Sequence, residues 1–470
     1  MERPAVENGD IEKDDVERPP GLLEVDRDLV TDIATLLESN MQGMVMNLVA
    51  DLYPVDLAQL LSHLSAVEAE TLFSWLPDDQ AGLVLAELDD EFRARLLEGA
   101  NAEKVTTLLG HLETDDAADV LADLPSEMAF QVLPRLENSA DVRSLLGYDE
   151  ESAGGIMGTE FVVVSSTWTS GEATEEVRRN ADKVEDVYAV FAVDERGKLV
   201  GSVSLKNLLL TPADSLVSDI MDADLITVTP HIDQEEVARI MQRYDLVSLP
   251  VVDAQGTMLG RITIDDIVDV IREEAEEDIQ RMSGMSGSEE PTDTVLRIIR
   301  GRLPWLLVGM AGAGLSGLVI GQFEGALEQA VVLAAFIPIV MAMAGNAGIQ
   351  SSAIVVQGLA SGEVWSTDVL RRIGKELSVA VLNGIVLALV LGGAVMLLPI
   401  ESDRIPRLAV TASLSMLTTI VLATLIGTTV PLLLDRLKID PALATGPFIM
   451  TSNDILGLAI YFLLATLIYL

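Results

Sequence analysis

The chain has 470 residues, no cysteine, three histidines and 74 acidic against 30 basic residues. The absence of cysteine excludes disulfides, zinc–thiolate sites and thiol nucleophiles. Nearly all of the acidic excess lies in the first 301 residues, so this region should repel nucleic acid and anionic lipid and attract cations. Such a composition also resembles proteins adapted to a salt-rich cytoplasm, which is an alternative cause of every acidic cluster below.

The sequence contains no motif of known catalytic chemistry. It lacks a Ser/His/Asp constellation, a phosphate-binding loop and a dinucleotide fingerprint, and its histidines share no metal-ligand spacing. We therefore predict that the protein is not an enzyme.

The polar, acidic composition of residues 1–25 predicts a disordered arm. They lack the basic and apolar regions of a signal peptide, so we expect the large region that follows to stay in the cytoplasm.

Residues 26–147 contain a repeat of short helices. Leucines recur every 12 residues, each at the end of a short apolar-periodic stretch, and the pattern fails once, at Ala100. The repeated positions are Leu64, Leu76, Leu88, Leu112, Leu124 and Leu136. Helices this short cannot bury a face alone, so the repeat predicts an all-α superhelical solenoid.

Residues 148–265 contain a second repeat, of mixed strands and helices. The stretch 193–201 matches 252–260 at an offset of 59 residues, and each copy reads as a β-hairpin followed by an amphipathic helix. Met157 and Met221 head the two copies. This region resembles a tandem pair of cystathionine-β-synthase (CBS) domains, which are α/β regulatory modules that commonly dimerise.

The sequence predicts a connecting helix and linker at residues 266–300. It predicts a domain of five transmembrane helices at residues 301–470. The apolar spans are 303–321, 327–347, 377–398, 408–434 and 447–470, each able to cross a bilayer of about 30 Å. Basic residues cluster just before the first span, between the second and third spans, and between the fourth and fifth spans. They are Arg297, Arg300 and Arg302, then Arg371, Arg372 and Lys375, then Arg436 and Lys438. The positive-inside rule therefore places the amino terminus in the cytoplasm and the carboxyl terminus outside a multi-pass protein of the cell membrane.

The fifth span contains one carboxylate, Asp454. An ionised acid at the centre of a spanning helix costs roughly 2.5 to 3.5 kcal/mol, so such a residue usually faces a polar cavity. Thr451 and Asn453 add oxygen-bearing side chains beside it. The sequence favours a cation site over an interhelical hydrogen bond, and a sensor without a pore would not need this acid.

Taken together, the domain order and four local stretches resemble the MgtE family of magnesium channels and transporters. The stretches are residues 345–350, 440–457, 115–119 and 273–279. The resemblance covers nearly the whole chain and departs at Ile349, where the family commonly has Asn. It implies a homodimer in a lipid membrane that transports Mg²⁺.

The resemblance also implies which residues contact the transported ion. Two copies of Asp454 would face each other across the twofold axis, and outer ligands would bind the ion's water. These pore residues are Gly345, Asn346, Ala347, Thr451, Asn453 and Asp454. Four residues, Gly345, Gly348, Gly446 and Pro447, would either break the helix to expose carbonyls or let helices pack closely.

Regulatory magnesium is implied at ten acids. They are Asp115, Asp119, Asp233, Glu235, Asp245, Asp266, Asp269, Glu274, Glu277 and Asp278. On this interpretation magnesium bridges the acids, and the connecting helix, about residues 267–282, closes the pore when cytoplasmic magnesium is high. A solvated acidic surface is the alternative.

Residues 260–266 resemble the stretch by which many CBS modules hold a ribose, with Thr263 and Asp266 as the contacts; the first copy has Ser204 and Asn207 instead. ATP or another adenine nucleotide is thus a second expected ligand. Two other functions stay open: transport of Mn²⁺ or Co²⁺, and a nucleotide-sensing membrane protein without a pore. Hard oxygen ligands, with no Cys or His near Asp454, favour magnesium.

Overall fold

The computed structural model describes residues 25–97, 99–181, 183–184, 187–286, 289, 294–361, 369–397, 404–444 and 446–470. The arm predicted at residues 1–25 lies, apart from Val25, outside the described residues. Two compact units are present, Met1–Ile267 and Val268–Leu470.

The first unit begins with ten short helices in two layers. They are α1 (Arg27–Glu38), α2 (Gln42–Val49), α3 (Pro54–His63), α4 (Ala66–Trp75), α5 (Asp78–Ala86), α6 (Asp90–Leu96), α7 (Ala102–Leu109), α8 (Thr114–Asp123), α9 (Ser126–Val132) and α10 (Ser139–Leu145), with a 3₁₀ turn at Leu133–Arg135. From α3 onward each helix packs on the next but one, so α3, α5, α7 and α9 form one layer and α4, α6, α8 and α10 the other. The predicted solenoid is confirmed.

The 12-residue repeat has a structural cause. Leu64, Leu76 and Leu124 are C-cap residues with extended backbone, and all six repeated leucines are buried. At the position where the pattern fails, Leu97 caps α6 and is buried instead, and the chain turns at Gly99 with φ +82°. Each of these leucines therefore packs into the buried core just after a short helix ends.

The CBS pair follows in the same unit. Its elements are β1 (Val163–Ser165), α11 (Ser170–Arg179), β2 (Ala189–Val193), β3 (Leu199–Ser204), α12 (Leu205–Leu210), α13 (Val217–Ile220), α14 (Gln234–Tyr244), β4 (Ser248–Val252) and β5 (Met258–Thr263). The first sheet has the order β1-β2-β3, with β1 parallel and β3 antiparallel to β2, and β4 pairs with β5 antiparallel. Both hairpins predicted from the repeat are present.

The two hairpin turns are built alike. Oδ1 of Asp194 accepts hydrogen bonds from the backbone N–H groups of Arg196 and Lys198, and Asp253 does the same two and four residues on. Gly197 and Gly256 have φ of +78° and +85°, a conformation that favours glycine.

The two copies also exchange their leading methionines. A Cβ on Gly260 would lie 2.8 Å from Sδ of Met157, and one on Gly201 would lie 2.6 Å from Sδ of Met221. Met157 precedes the first copy but packs on the second, and Met221 precedes the second but packs on the first. The pair therefore folds as one body.

The second unit contains the remaining helices. Helix α15 (Ile264–Met282) begins at the end of the first unit, and the others are α16 (Val295–Gln322), α17 (Glu324–Gln329), α18 (Ile337–Ala360), α19 (Val369–Met396), α20 (Ile405–Arg436) and α21 (Pro447–Leu464). Short 3₁₀ segments lie at Val331–Phe336 and Pro441–Ala444, and a π-helical turn at Ala465–Tyr469. Among the described residues, five helical segments of 23 to 32 residues are long and apolar enough to span a membrane.

Two details of the predicted spans are wrong. The second was expected to end at residue 347, but α18 continues to Ala360, and the third begins at Val369 instead of residue 377. The idea that Gly345 and Gly348 interrupt the helix also fails, because α18 is continuous through both. Gly348 instead allows close packing, since a Cβ there would lie 2.6 Å from Nδ2 of Asn453 and 3.3 Å from the carbonyl oxygen of Ala423.

Candidate functional site

Helix α8 presents carboxylates to a small cavity in the first unit. The cavity has a volume of about 300 Å³ and is called here the acidic pocket. Its charged lining residues are Glu113, Asp115, Asp116, Arg261, Asp265 and Asp266. Two of the predicted regulatory residues, Asp115 and Asp266, therefore meet although they lie far apart in the chain. Five carboxylates face one guanidinium, so the pocket attracts cations.

A metal-sized cluster lies at the edge of this pocket. One carboxylate oxygen each from Glu113, Asp115 and Glu160 lies within 4.8 Å of the others. Oγ1 of Thr114 donates a hydrogen bond to Oε2 of Glu160 over 2.9 Å, which holds the chain after the solenoid against the first turn of α8. Gly158 leaves room here, because a Cβ would lie 3.3 to 3.6 Å from all three carboxylates.

The acids of this region hold protons unusually well. Burial, followed by repulsion from Glu160, raises the pKa of Glu113 to about 7. Burial, followed by Asp266, raises the pKa of Asp116 to about 6, and burial with Glu150 raises the pKa of Asp119 to about 7. Burial and the neighbouring Asp116 raise the pKa of Asp115 well above its ordinary value. Each raised pKa has the same cause: burial and neighbouring acids disfavour the negative charge of the carboxylate.

A hard divalent cation fits these residues. Oδ1 of Asp115 is buried and accepts no hydrogen bond from any described residue. A buried unpaired carboxylate oxygen is costly, and a cation would satisfy it. The cluster itself offers three carboxylates and no sulfur or imidazole, although His111 lines the pocket beside it. Such oxygen ligands suit Mg²⁺ or Ca²⁺ better than Zn²⁺ or Cu²⁺.

The residues predicted to hold a ribose lie in the same pocket. The N–H and Oγ1 of Thr263 donate to Oδ2 of Asp266 over 3.0 and 2.6 Å. The surrounding carboxylates would repel nucleotide phosphates. The counterparts in the first copy, Ser204 and Asn207, line a separate cavity of about 480 Å³.

The other predicted regulatory acids are not brought to the acidic pocket. Asp119 lies outside its lining, where its carboxylate is influenced by Glu150 and Arg93. Asp233 and Glu235 are exposed at the start of α14, and Asp245 is exposed at its end and lines the Ser204 cavity. Asp269, Glu274, Glu277 and Asp278 lie on α15 in the second unit.

A second cavity, of about 650 Å³, contains Asp454 in the membrane unit. Asp454 and Thr451 both line it. Ile349 also lines this cavity, so the position at which the chain departs from the common family pattern lies on its wall. We call it the pore cavity.

The remaining predicted pore residues lie elsewhere. Asn346 is exposed on α18, next to the partly exposed Gly345 and Ala347, and none of the three lines the pore cavity. Asn453 is 3% exposed and points toward Gly348 between the helices. Neither amide atom of Asn453 hydrogen-bonds to a described residue.

The end of α15 closes one side of the pore cavity. Met282, Ser283 and Gly284 belong to its lining. A Cβ on Gly446 would lie 3.0 Å from the carbonyl oxygen of Met282, and a Cβ on Gly284 would lie 2.9 Å from Cγ of Pro447. The turn after α15 therefore packs directly on the start of α21.

Two arginines hold this segment in place. Arg281 pairs with Glu277 on its own helix and with Asp440, which precedes the fifth span. Asp440 is itself fixed, because its Oδ1 accepts a hydrogen bond from the N–H of Ala442 over 2.8 Å. Burial, followed by repulsion from Asp440, raises the pKa of Asp278.

Further along the segment, Glu289 pairs with Arg302 at the start of the first span, with Nε at 2.8 Å from Oε2. The side chain of Gln280 exchanges two hydrogen bonds with the backbone of Glu289, at 2.7 and 2.9 Å. Ion pairs thus fasten the turn to two spans.

Several functional candidates were not predicted from sequence: Glu113, Asp116, Glu160, Arg281 and Asp440. Glu113 and Asp116 flank Asp115 and could have been included from adjacency alone. Glu160 follows Asp115 by 45 residues, and no local pattern marks it.

Comparisons with family models match the solenoid, the CBS pair and the last four membrane helices. The family model described as the MgtE divalent cation transporter matches residues 337–464, and that of the MgtE intracellular N domain matches 52–151. The CBS domain model matches 153–213 and 217–273. The magnesium transporter MgtE of Bacillus subtilis is 32% identical over 442 residues, covering 93% of this chain and 97% of that protein. The chain belongs to the MgtE family.

Other MgtE proteins are similar over a shorter range. That of Thermus thermophilus is 33% identical over 335 residues, covering 70% of this chain and 72% of that protein. A solved cytosolic domain of the Mg²⁺ channel MgtE in complex with ATP is 32% identical and covers 50% of this chain and 99% of its own, with a TM-score of 0.47. The MgtE family is one of transporters, so the expectation of a non-enzymatic protein is confirmed. The multidomain membrane architecture is confirmed as well.

Proposed function

We propose that this protein moves Mg²⁺ across the cell membrane as a homodimer and that cytoplasmic Mg²⁺ closes its pore. The observation that carries the proposal is the position of Asp454. Its carboxylate lines a cavity inside the membrane unit, and the turn after α15 closes the same cavity.

The chemistry of the pore cavity suits a hydrated cation. Magnesium dehydrates reluctantly and usually keeps several waters, so few direct ligands are needed. One carboxylate and the Thr451 hydroxyl are present on the described wall. In a homodimer two copies of Asp454 would balance the charge of one divalent ion, which offsets the cost of an acid in lipid.

The exposed position of Asn346 agrees with this arrangement. Asn346, Gly345 and Ala347 lie on α18 away from the Asp454 cavity of their own chain. We propose that this face of α18 lies at the dimer axis, where the second chain completes the pore and Asn346 reaches the ion's water. Because α18 is continuous, Asn346 would act through its side-chain amide, and Asn453 through contacts between helices.

Regulation is proposed to begin at the acidic pocket. Metal binding to Glu113, Asp115 and Glu160 would join the first turn of α8 to the chain that enters the CBS pair. Four acids on α15 would also bind regulatory magnesium: Asp269, Glu274, Glu277 and Asp278. A ligand shifts such an equilibrium only by binding one state more tightly, and here the compact state offers the assembled carboxylates. Asp233, Glu235 and Asp245 stay predictions from the family resemblance.

Nucleotide binding is a secondary proposal, and it concerns the cavity of the first CBS copy. That cavity has a volume of about 480 Å³ and includes Tyr188, Phe191 and Ser204. An aromatic wall and a hydroxyl suit an adenosine. Carboxylates line both candidate positions, since Asp222, Asp224 and Asp245 lie on the wall of this cavity and Thr263 and Asp266 lie in the acidic pocket. Calorimetric titration with ATP, comparing Ser204→Ala with Thr263→Ala, would decide between the two positions.

The decisive experiment is magnesium uptake into liposomes containing the purified full chain and a magnesium-sensitive dye. Asp454→Asn should reduce uptake at least about 100-fold while the protein elutes as the wild-type oligomer. Asp435→Asn, an exposed acid at the end of α20, is the matched control and should transport normally. Uptake by Asp454→Asn at the wild-type rate would refute the pore assignment.

The same liposomes test the alternatives. Competition by Mn²⁺ or Co²⁺ at concentrations far below that of Mg²⁺ would favour transport of those ions. No ion flux with intact nucleotide binding would favour a signalling protein without a pore. Orientation follows from protease access, which should cleave the solenoid only when the cytoplasmic face is exposed.

A further inference from the structure

Helix α19 carries a buried acid that the pore proposal does not use. Glu376 is 8% exposed and lies within a membrane-spanning helix. Its Oε1 pairs with Arg372, one turn earlier on the same helix, over 3.2 Å. Its Oε2 accepts a hydrogen bond from Oγ of Ser351 on α18, also over 3.2 Å. Both contacts are made inside one chain, so they do not depend on how a second chain packs.

The two contacts have different effects. Arg372 balances the charge of the buried acid, which would be costly to leave unpaired. A pair within one helix, however, does not join that helix to another. The hydrogen bond from Ser351 does join α18 to α19, and a hydrogen bond is directional. It therefore restrains the rotation of α18 about its own axis.

Ser351 lies on the face of α18 that packs inside the protein. Gly348, one turn earlier, is also buried on this face, and its carbonyl oxygen packs against Gly427 of α20. Small residues let two helices approach closely, but a contact between glycines has no side chain to fix a direction. The hydrogen bond to Glu376 supplies the direction that this close packing lacks.

The same helix carries part of the pore-cavity wall. Ile349 lines the cavity that contains Asp454 and precedes Ser351 by two residues. Successive residues of an α-helix are about 100° apart around its axis, so even a partial rotation of α18 would turn Ile349 away from the cavity. The contact at Ser351 is near enough along the helix to control this part of the wall.

We propose that Glu376 is a positioning residue of the pore: through Ser351 it holds α18 at the rotation that keeps Ile349 on the cavity wall. Magnesium demands near-ideal octahedral geometry, whereas calcium accepts about six to eight ligands in flexible arrangements. A wall that moves should therefore disfavour magnesium relative to calcium. This role in ion selection rests on the proposed function, whereas the positioning of α18 does not.

The rotation of α18 is tested by chemical labelling. The chain has no cysteine, so Ile349→Cys gives the full chain a single thiol. The protein is reacted in detergent with aminoethyl methanethiosulfonate, a small cationic reagent that Asp454 attracts. Ser351→Ala in this background removes the hydrogen bond but leaves Glu376 paired with Arg372. It should slow the modification about 2- to 30-fold, the range expected when one coupling contact between packed elements is lost.

Ser352→Ala is the matched control. Ser352 is the next residue, is fully buried, and its hydroxyl hydrogen-bonds to no described residue. Its replacement should leave the modification rate of Ile349→Cys unchanged.

A second variant tests whether Glu376 acts through Ser351. Glu376→Gln should slow labelling less than Ser351→Ala, because the amide oxygen still accepts a weaker hydrogen bond. Combined with Ser351→Ala, it should change the rate no further, since the contact is already lost.

Ion selection is measured in liposomes containing the same serine variants without the introduced cysteine. The calcium concentration that halves magnesium uptake should fall about 2- to 30-fold for Ser351→Ala and stay at the wild-type value for Ser352→Ala. A merely structural defect would lower the amount of folded protein and the uptake rate without changing this concentration.

Equal labelling rates in the two serine variants would overturn the inference, and so would a further change from Glu376→Gln in the Ser351→Ala background. Slowed labelling with unchanged calcium competition would overturn the role in ion selection. If the wild type takes up no magnesium but Ser351→Ala alone slows labelling, the transport proposal fails and the positioning of α18 stands. If uptake is normal and both serine variants behave alike, only this inference fails.

Discussion

Oγ1 of Thr114, the first residue of α8, donates a hydrogen bond to Oε2 of Glu160 over 2.9 Å. The same hydroxyl accepts a hydrogen bond from the N–H of Thr159 over 2.9 Å. The solenoid and the entry to the CBS pair are therefore joined beside the cluster of Glu113, Asp115 and Glu160. A cation bound there would be sensed by both domains at once.

We expect Glu160→Gln to weaken magnesium binding in the acidic pocket. The change keeps the size of the side chain and its hydrogen bond to Thr114 but removes one of three clustered charges, so affinity should fall by about tenfold. The measurement is the rise in melting temperature of the full chain with added Mg²⁺. Glu127→Gln, an exposed acid on α9, should leave that rise unchanged. An identical magnesium response in both variants would exclude Glu160 as a ligand.

The metal-free protein should lose stability as the pH rises from about 4.5 to 7. The pKa of Glu113 and that of Asp119 are raised to about 7, so the folded protein holds protons that the unfolded chain has already released. This contribution is full below the unfolded pKa and is lost as the pH passes the folded pKa. Magnesium replaces those protons, so its stabilising effect should be small at pH 5 and large at pH 8.

The pH dependence is measured by thermal melting with and without Mg²⁺. Glu113→Gln should flatten the metal-free slope between pH 5 and 7, because the group no longer titrates. A magnesium effect of equal size at pH 5 and pH 8 would contradict this account of the pocket.

Arg281→Gln should make the gate harder to close. The variant loses the ion pair with Asp440 and leaves the acids Glu277, Asp278 and Asp440 without this guanidinium. An ion pair of this kind contributes up to about 1 kcal/mol, so the magnesium concentration for half closure should rise by roughly fivefold. Arg178→Gln is the control, because Arg178 makes an exposed pair with Glu175 on α11 and neither residue is a predicted magnesium ligand. The readout is open probability against cytoplasmic Mg²⁺, and unshifted midpoints in both variants would refute a latch at Arg281.

Gly348→Ala should destabilise the membrane unit by about 1 to 3 kcal/mol, as overpacking does. Its new methyl group would lie 2.6 Å from Nδ2 of Asn453 and 2.9 Å from Cγ2 of Ile449. Gly345→Ala is matched in helix and chemistry, but its methyl group would meet nothing within 4 Å. The two variants are compared by the temperature at which the protein aggregates in detergent. Equal temperatures would show that α18 and α21 are less tightly packed than described.

Much of the architecture follows from the sequence because its signals are local. The buried leucines of the solenoid repeat every 12 residues, and each one lies just after the end of a short helical segment in its own repeat. The hairpins at Asp194 and Asp253 are specified by residues next to them in the chain. The membrane helices follow from long apolar stretches, although the true end of α18 at Ala360 does not, because polar residues past Ala347 continue the helix inside the protein.

The sites required the tertiary structure. Sequence singled out Asp454 because an acid in an apolar span needs a reason, and it singled out Asp115 and Asp266 through a family resemblance. It could not find Glu160, whose contact with Thr114 joins residues 46 apart, or the pairing of Arg281 with Asp440 across 159 residues. Apolar periodicity determines which helices form, since each pattern lies within one helix. Which charges meet is decided only when those helices pack, because an electrostatic contact depends on distance in space and not along the chain.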